Sequence, residues 1–361
     1  MMPKGVPCVN AQPNTVWRPS LRRDQRAVSE VLGVVMMLAM VITIMGGVWV
    51  FLNPYISDFE DNTNWNSATG IAERFEDRID VAGGAPEGTG IRHTLALQST
   101  MIQSVEKVET WTMSADLTPY DTVTVRDENS SALGIFSMNE TARSITIETE
   151  YGVESFSFDA SHEEVMVRHN STQQHWMIVT VFDSDNNPIH RSVTYLISGI
   201  QITTSLGQGE HQIALMNNAR VERFPNEPWR VSQYPNLEID PLVNGEFRLS
   251  LVLNDVTING SLGSGNKIGM NMMSLGPMTL FSGEAYNVKF TVINSLNDLI
   301  TPQYHDRMLD EYNLNRASGT LDTYVGYAPF MRASGADGFT VETQGAQLYL
   351  EVDVKRVEVS R

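Results

Sequence analysis

The chain has 361 residues, room for one large domain or two of ordinary size. Its hydrophobic content of 42% is enough to fill a sizeable core and excludes wholesale disorder. With 25 basic against 43 acidic residues the net charge is −18, and no clustered Lys/Arg face stands out, which argues against a nucleic-acid partner.

The first predicted element lies near the N-terminus. Residues 1–27 hold Lys4, Arg18, Arg22, Arg23 and Arg26 against Asp24 alone, a net of +4. Val31 to Leu52 then runs for 22 residues without a charge. A helix rising about 1.5 Å per residue would cover roughly 33 Å over that run, the hydrocarbon thickness of a bilayer. The basic flank predicts a single pass through the cytoplasmic membrane, with the N-terminus inside and the C-terminal part outside at the cell surface. A secretory signal fits poorly. Its apolar core should run about 7–15 residues and end at a small-x-small site, which Asn53-Pro54-Tyr55-Ile56 does not offer. Cys8, the sole cysteine, excludes an intramolecular disulfide and a Cys-based metal site.

Helical spacing returns after Pro54. Trp65, Ala68, Ala72 and Phe75 recur at three- and four-residue steps, with Ile71 and Ile79 beside them and charged residues on the other face. This predicts an amphipathic helix packed on a sheet, ended by the Gly83-Gly84-Ala85-Pro86 stretch.

From residue 91 the pattern is β. Runs at Thr94–Gln98, Ser144–Glu150, Val153–Phe158, Trp176–Phe182, Ser192–Ile197, Phe247–Leu253, Tyr286–Ile293 and Leu348–Val354 read as short strands. The cluster Asp183–Pro188 predicts a hairpin between Trp176–Phe182 and Ile189–Ile197. One helix is expected to interrupt them, with Thr301 as its N-cap, Pro302 in its first turn and Tyr304, Met308 and Tyr312 on one face. The fold class is therefore an N-terminal transmembrane α-helix followed by a mainly-β, antiparallel and sandwich-like extracellular head with one or two helices.

Residues that could carry chemistry are sparse. His162, His169 and His175 lie near Glu163 and Glu164, but strand residues seven apart face opposite sides of a sheet, so no metal site is expected. Asp183-Ser184-Asp185-Asn186-Asn187 opens like a calcium loop and then has Pro188 where Gly is needed, so a turn is expected. Gly260–Lys267 resembles a phosphate loop and fails it at Asn266, where the lysine should stand. No Gly-x-Ser-x-Gly, His-Glu-x-x-His or nucleophilic cysteine signature occurs, so neither an enzymatic activity nor a cofactor is expected. Asn129, Asn139, Asn170 and Asn259 each begin an Asn-x-Ser/Thr sequon, and are expected in loop-like, outward stretches open to N-glycosylation.

The segment Arg26-Ala27-Val28-Ser29-Glu30-Val31-Leu32-Gly33 places a basic, a small and an apolar residue directly before the uncharged run. It resembles the prepilin leader of archaeal type IV pilins, and the likeness covers residues 22–60. With Ala72-Glu73-Arg74-Phe75 and Gly84-Ala85-Pro86 the chain is also similar, to about residue 100, to a group of uncharacterised archaeal pilin-like membrane proteins. The resemblance implies cleavage by a prepilin peptidase between Ala27 and Val28, leaving the apolar helix on the mature chain. It implies further partners: a pilus assembly ATPase and its membrane platform, other pilin subunits, and membrane lipid. Glu30 departs from the bacterial pattern, since it would be the third mature residue and not the fifth. A leader of 27 residues is long for this class; a start at Leu21 would shorten it to Leu-Arg-Arg-Asp-Gln-Arg-Ala.

The expected organisation is a cytoplasmic leader over 1–27, an apolar membrane and assembly helix over 28–60, an amphipathic continuation over 61–85 and a β-rich extracellular domain over 86–361. The function implied is a pilin-like surface subunit, of minor or adhesin type. A non-polymerising, membrane-anchored binding or envelope protein is the alternative.

Overall fold

A computed structural model describes residues 25–361 apart from 98–99, 120–121, 130–131, 160–162, 170–173, 242–246, 261, 263–266, 305, 308–329, 335–337 and 343–346. Two compact units divide the chain, residues 1–59 and residues 60–361. Helix α1 (Gln25–Gly83) begins in the first and ends in the second, with Pro54 inside it.

In the first unit α1 is long and apolar enough to cross a membrane. Its residues from Ser29 to Ile56 are exposed along the whole stretch.

In the second unit α1 has one buried stripe. Ala68, Ile71, Ala72, Phe75, Ile79 and Ala82 sit in a core with Ile200, Ile202, Met270, Met272, Val357 and Val359 of the sheet. This is the arrangement the three- and four-residue spacing predicts. Trp65 remains partly exposed and packs edge-on against Phe224 at 5.7 Å. The helix stops at Gly83, where Gly84 and Ala85 donate to the carbonyls of Asp80 and Ala82.

The strands follow in order: β1 (Gly90–Leu95), β2 (Thr100–Asp116), β3 (Val123–Asn129), β4 (Ala132–Ser137), β5 (Ser144–Thr149), β6 (Gly152–Ser157), β7 (Val165–Arg168), β8 (Trp176–Phe182), β9 (Pro188–Leu206), β10 (Gly209–Met216), β11 (Ala219–Arg223), β12 (Arg230–Gln233), β13 (Asn236–Pro241), β14 (Phe247–Asn259), β15 (Ile268–Ser274), β16 (Met278–Asn294), β17 (Phe330–Ser334), β18 (Gly338–Glu342) and β19 (Gln347–Ser360). β3, β4 and β7 form a three-stranded sheet; the other sixteen join one large sheet. Its pairings among the described residues are antiparallel except β14 with β19, which run parallel from Arg248↔Tyr349 to Asn259↔Ser360. The result is a mostly antiparallel β unit with few helices.

The hairpin of β8 and β9 forms as the turn cluster predicts. Asp183 Oδ1 accepts from the backbone of Asp185 and Asn187, so its carboxylate is spent on the turn. The helical turn near 300 starts at Ile300 and not after a Thr301 cap. Asn297 Oδ1 accepts from the Leu299 amide just before it, an Asx-type turn that leads into the helix. Met308 and Tyr312 lie outside the described residues.

The long strands serve two cores. In β19, Leu348, Leu350, Val352 and Val354 fill one core, whereas Val357 and Val359, of opposite parity, fill the core against α1. β9 switches likewise, from Val193, Tyr195 and Ile197 to Ile200 and Ile202, and β14 from Leu249, Leu251 and Leu253 to Val256. Side chains alternate along a strand, so a change of parity moves burial to the other face. In β2 an irregularity between Val105 and Glu109 does the same, with Lys107 at φ 51°. Gly199 stands at the switch in β9, where a Cβ would run into the Leu215 carbonyl oxygen. A third core gathers Val123, Leu133, Ile135, Ile145, Ile147 and Val181 between the two sheets.

Candidate functional site

The N-terminal features come first along the chain. Arg26, Ala27, Val28 and Ser29 lie in the first turns of α1, and Ser29 is exposed. An added Cβ at Gly33, Gly46 or Gly47 meets nothing within 4 Å in this chain.

Of the sequon asparagines, Asn139 is exposed in the turn after β4. Asn259 is exposed but closes β14, and Asn129 closes β3, so these two stand at strand ends. Asn170 and His162 lie outside the described residues, as do Ser261, Gly263, Ser264, Gly265 and Asn266 of the Gly-rich segment. Among the described residues no group of three or more His, Cys, Asp or Glu side chains is placed to hold a metal ion.

Where the long strands switch faces, buried polar groups collect. Asp255 of β14 is almost wholly buried and accepts from three donors on other strands or loops. These are His175 Nε2 at 2.7 Å, the Ser198 amide at 2.9 Å and the Tyr195 hydroxyl at 3.1 Å. Burial alone would lower the His175 pKa, but the hydrogen bond and charge of Asp255 outweigh it and leave the imidazole raised. Burial and the neighbouring carboxylate push the Tyr195 hydroxyl upwards too.

Glu109 is the second such group, fully buried at the β2 irregularity. Trp111 Nε1 at 3.1 Å and Asn217 Nδ2 at 3.1 Å donate to one carboxyl oxygen, and Asn294 Nδ2 at 2.9 Å to the other. Asn217 reaches it from the two-residue turn between β10 and β11, where Asn217 and Asn218 both have positive φ, as a tight hairpin of this hand requires. Burial raises the Glu109 pKa, opposed by those donors. Glu109 and Asp255 are each buried and held by three donors, the surroundings of structural groups.

A different polar group does line a pocket. On the face of β2 and β9 opposite Trp111, Met113, Val193 and Tyr195 stand Thr112, Ser114, Asp116, His190 and Ser192. Asn287 and Lys289 of β16 and the start of β3 complete a pocket of about 420 Å³. Asp116 Oδ1 accepts from His190 Nδ1 at 2.7 Å and from the Val123 amide at 3.3 Å; its Oδ2 accepts from Asn287 Nδ2 at 2.8 Å. His190 is 4% exposed, and its Nε2 is buried without a hydrogen-bond partner among the described residues.

Sequence reasoning missed this group. Asp116 and His190 are 74 residues apart and meet only because β2 and β9 pair in register. The available signal was the alternation Thr112-x-Ser114-x-Asp116 against Trp111-x-Met113-x-Ala115, a strand with one apolar and one hydroxyl-rich face.

Comparison with models of protein families, with curated proteins and with solved structures found no match to this chain.

Proposed function

We propose that the chain is a pilin-like cell-surface protein, a minor or adhesin-type subunit of an archaeal type IV pilus-like filament, cut by a prepilin peptidase between Ala27 and Val28. One observation carries this reading. The basic-small-apolar tripeptide Arg26-Ala27-Val28 stands two residues before 22 uncharged residues, on a helix whose apolar side chains from Val31 to Leu52 are exposed among the described residues. Lipid before assembly, and neighbouring helices of other subunits after it, are the surroundings such a helix requires. Gly33, Gly46 and Gly47, which touch nothing in this chain, suit close approach of a second helix. The assembly ATPase and membrane platform enter as partners through the resemblance alone. In this reading residues 60–361 form a sandwich-like head outside the cell, with Asn129, Asn139, Asn170 and Asn259 as acceptors for glycans.

The test is Ala27→Glu. A charged side chain at the small position should block the cut, leaving the leader attached, the protein still in the membrane and the shed-filament fraction empty of it. Unchanged processing, or filaments built from uncut chain, would contradict the proposal. The anchored, non-polymerising ectodomain is favoured by one feature, the size of the unit over residues 60–361. It predicts a full-length chain in membranes and no effect of the substitution.

A further inference from the structure

We propose that the groove beside the outer face of α1 and the β12–β13 segment takes up an extended stretch of another protein in which acidic side chains alternate with basic ones. The site goes beyond the filament reading and holds equally for an anchored ectodomain.

The groove lies within the second unit. α1 supplies Arg74, Asp77 and Arg78 to its lining, β13 supplies Glu238, and Tyr234 comes from the link before β13. Pairing sorts the charges along it. Asp80 is held by Lys355 at 2.7 Å, and Glu76 lies 3.6 Å from Arg220. Arg307 sits over the Tyr234 ring, 5.9 Å from its centre. Arg74 and Arg78 remain as exposed guanidiniums with no hydrogen bond or ion pair among the described residues. Burial, with the charge of Arg78 and Arg74, holds the imidazole of His93 in the same lining below its ordinary pKa, so both guanidiniums act on one stretch of the groove. Asp77 and Glu238 are exposed carboxylates, likewise without an ion pair among the described residues. A uniformly acidic strand would meet both of them, whereas one with bases between its acids satisfies all four groups.

Size and spacing select the occupant. The volume of about 1350 Å³ exceeds the roughly 300–1,000 Å³ of small-molecule sites and suits a run of several residues. Residues four apart on a helix carry their Cβ atoms about 5–6 Å from each other, so Arg74 and Arg78 form a two-cation row. In an extended chain, side chains two apart share a face at about 6.6 Å, and carboxylates at that spacing meet the row. A helical partner is the poorer reading. At a diameter of about 10–12 Å it would fill the groove within about three turns, fewer residues than the roughly 12–15 at which an isolated helix holds together.

The experiment uses the full chain in detergent micelles and fluorescence anisotropy with a labelled octapeptide of alternating Glu and Lys. A second octapeptide of the same composition, its Glu and Lys gathered in two blocks, controls for attraction to the protein's net charge. The alternating peptide should bind, and the block peptide roughly tenfold more weakly, the range that two exposed ion pairs together supply. Arg74→Gln combined with Arg78→Gln should weaken the alternating peptide by a similar factor. Both side chains are exposed, so circular dichroism and melting temperature should match the wild type. No binding of the alternating peptide, equal binding of the block peptide, or binding that the double variant leaves unchanged would overturn the proposal. Tighter binding of polygalacturonate would assign the groove to an anionic glycan, and tighter binding of an Ala-rich helical peptide with Glu four apart would assign it to a helix; either result also overturns it.

Discussion

Two stretches of α1 are both helical and both rich in apolar side chains, yet they are buried in opposite ways. From Val31 to Leu52 every large apolar side chain is 44–74% exposed. From Ala68 to Ala82 the six apolar residues of one stripe are at most 5% exposed. The difference is one of pattern and not of hydrophobic content. A helix with a polar face can satisfy its apolar stripe against its own sheet. A helix apolar all round has no polar side to turn to water, and none of its apolar side chains from Val31 to Leu52 is buried among the described residues.

Substitutions on the two stretches should separate that contrast most strongly. Phe75→Ala removes a fully buried ring and should lower the stability of the β unit by about 3–5 kcal/mol in thermal or denaturant unfolding. Val41→Ala should leave that transition unmoved, because Val41 touches no core of this chain. Equal losses from both would break the comparison.

Next in size is Asp255→Asn. The amide keeps one acceptor oxygen but loses the charge that holds His175, at a cost of about 1.5–3 kcal/mol. The same variant should bring the His175 titration down, read by NMR of the ring protons. A pair contributing nothing would leave both melting and titration unchanged.

The pH dependence has a definite sign. Burial holds the Glu109 carboxyl above its ordinary range, so the folded chain keeps a proton that the unfolded chain has lost. Stability from this group is greatest below the ordinary carboxylate pKa and falls as pH rises through the raised value. His175, also raised, acts in the same sense: its contribution is present below the ordinary imidazole pKa and is lost as pH climbs through the folded value. Glu109→Gln should flatten the stability profile, relative to wild type, over the interval from the ordinary carboxylate pKa up to the raised one. A variant profile that keeps the wild-type fall over that interval would contradict the assignment.

Smallest is Lys355→Gln. It breaks a 2.7 Å pair with Asp80 at the end of α1, but both groups face water, so the loss should stay below about 1 kcal/mol and shrink further in salt.

Much of the fold was legible because burial follows simple periods. The stripe at Ala68, Ile71, Ala72 and Phe75, the hairpin of β8 and β9, and the alternation in Leu348–Val354 were all plain in the sequence. Length was not. β9, β14, β16 and β19 each extend beyond the expected run, since a strand that changes its buried parity reads as two fragments or one. β2 was missed for that reason, its pattern broken between Val105 and Glu109. The parallel pairing of β14 with β19 has no local signal at all. The pocket was illegible for a related reason: its Asp116, His190 and Asn287 come from three strands, and only tertiary register unites them. The cleavage tripeptide is the opposite case, a site written in consecutive residues.

That tripeptide also gives the most direct test of the account. Mass spectrometry of the mature N-terminus, on wild-type protein from membrane and shed-filament fractions of cells with an active prepilin peptidase, should find a chain beginning at Val28. A chain that still carries residues on the N-terminal side of the Ala27–Val28 bond would contradict the pilin-like reading.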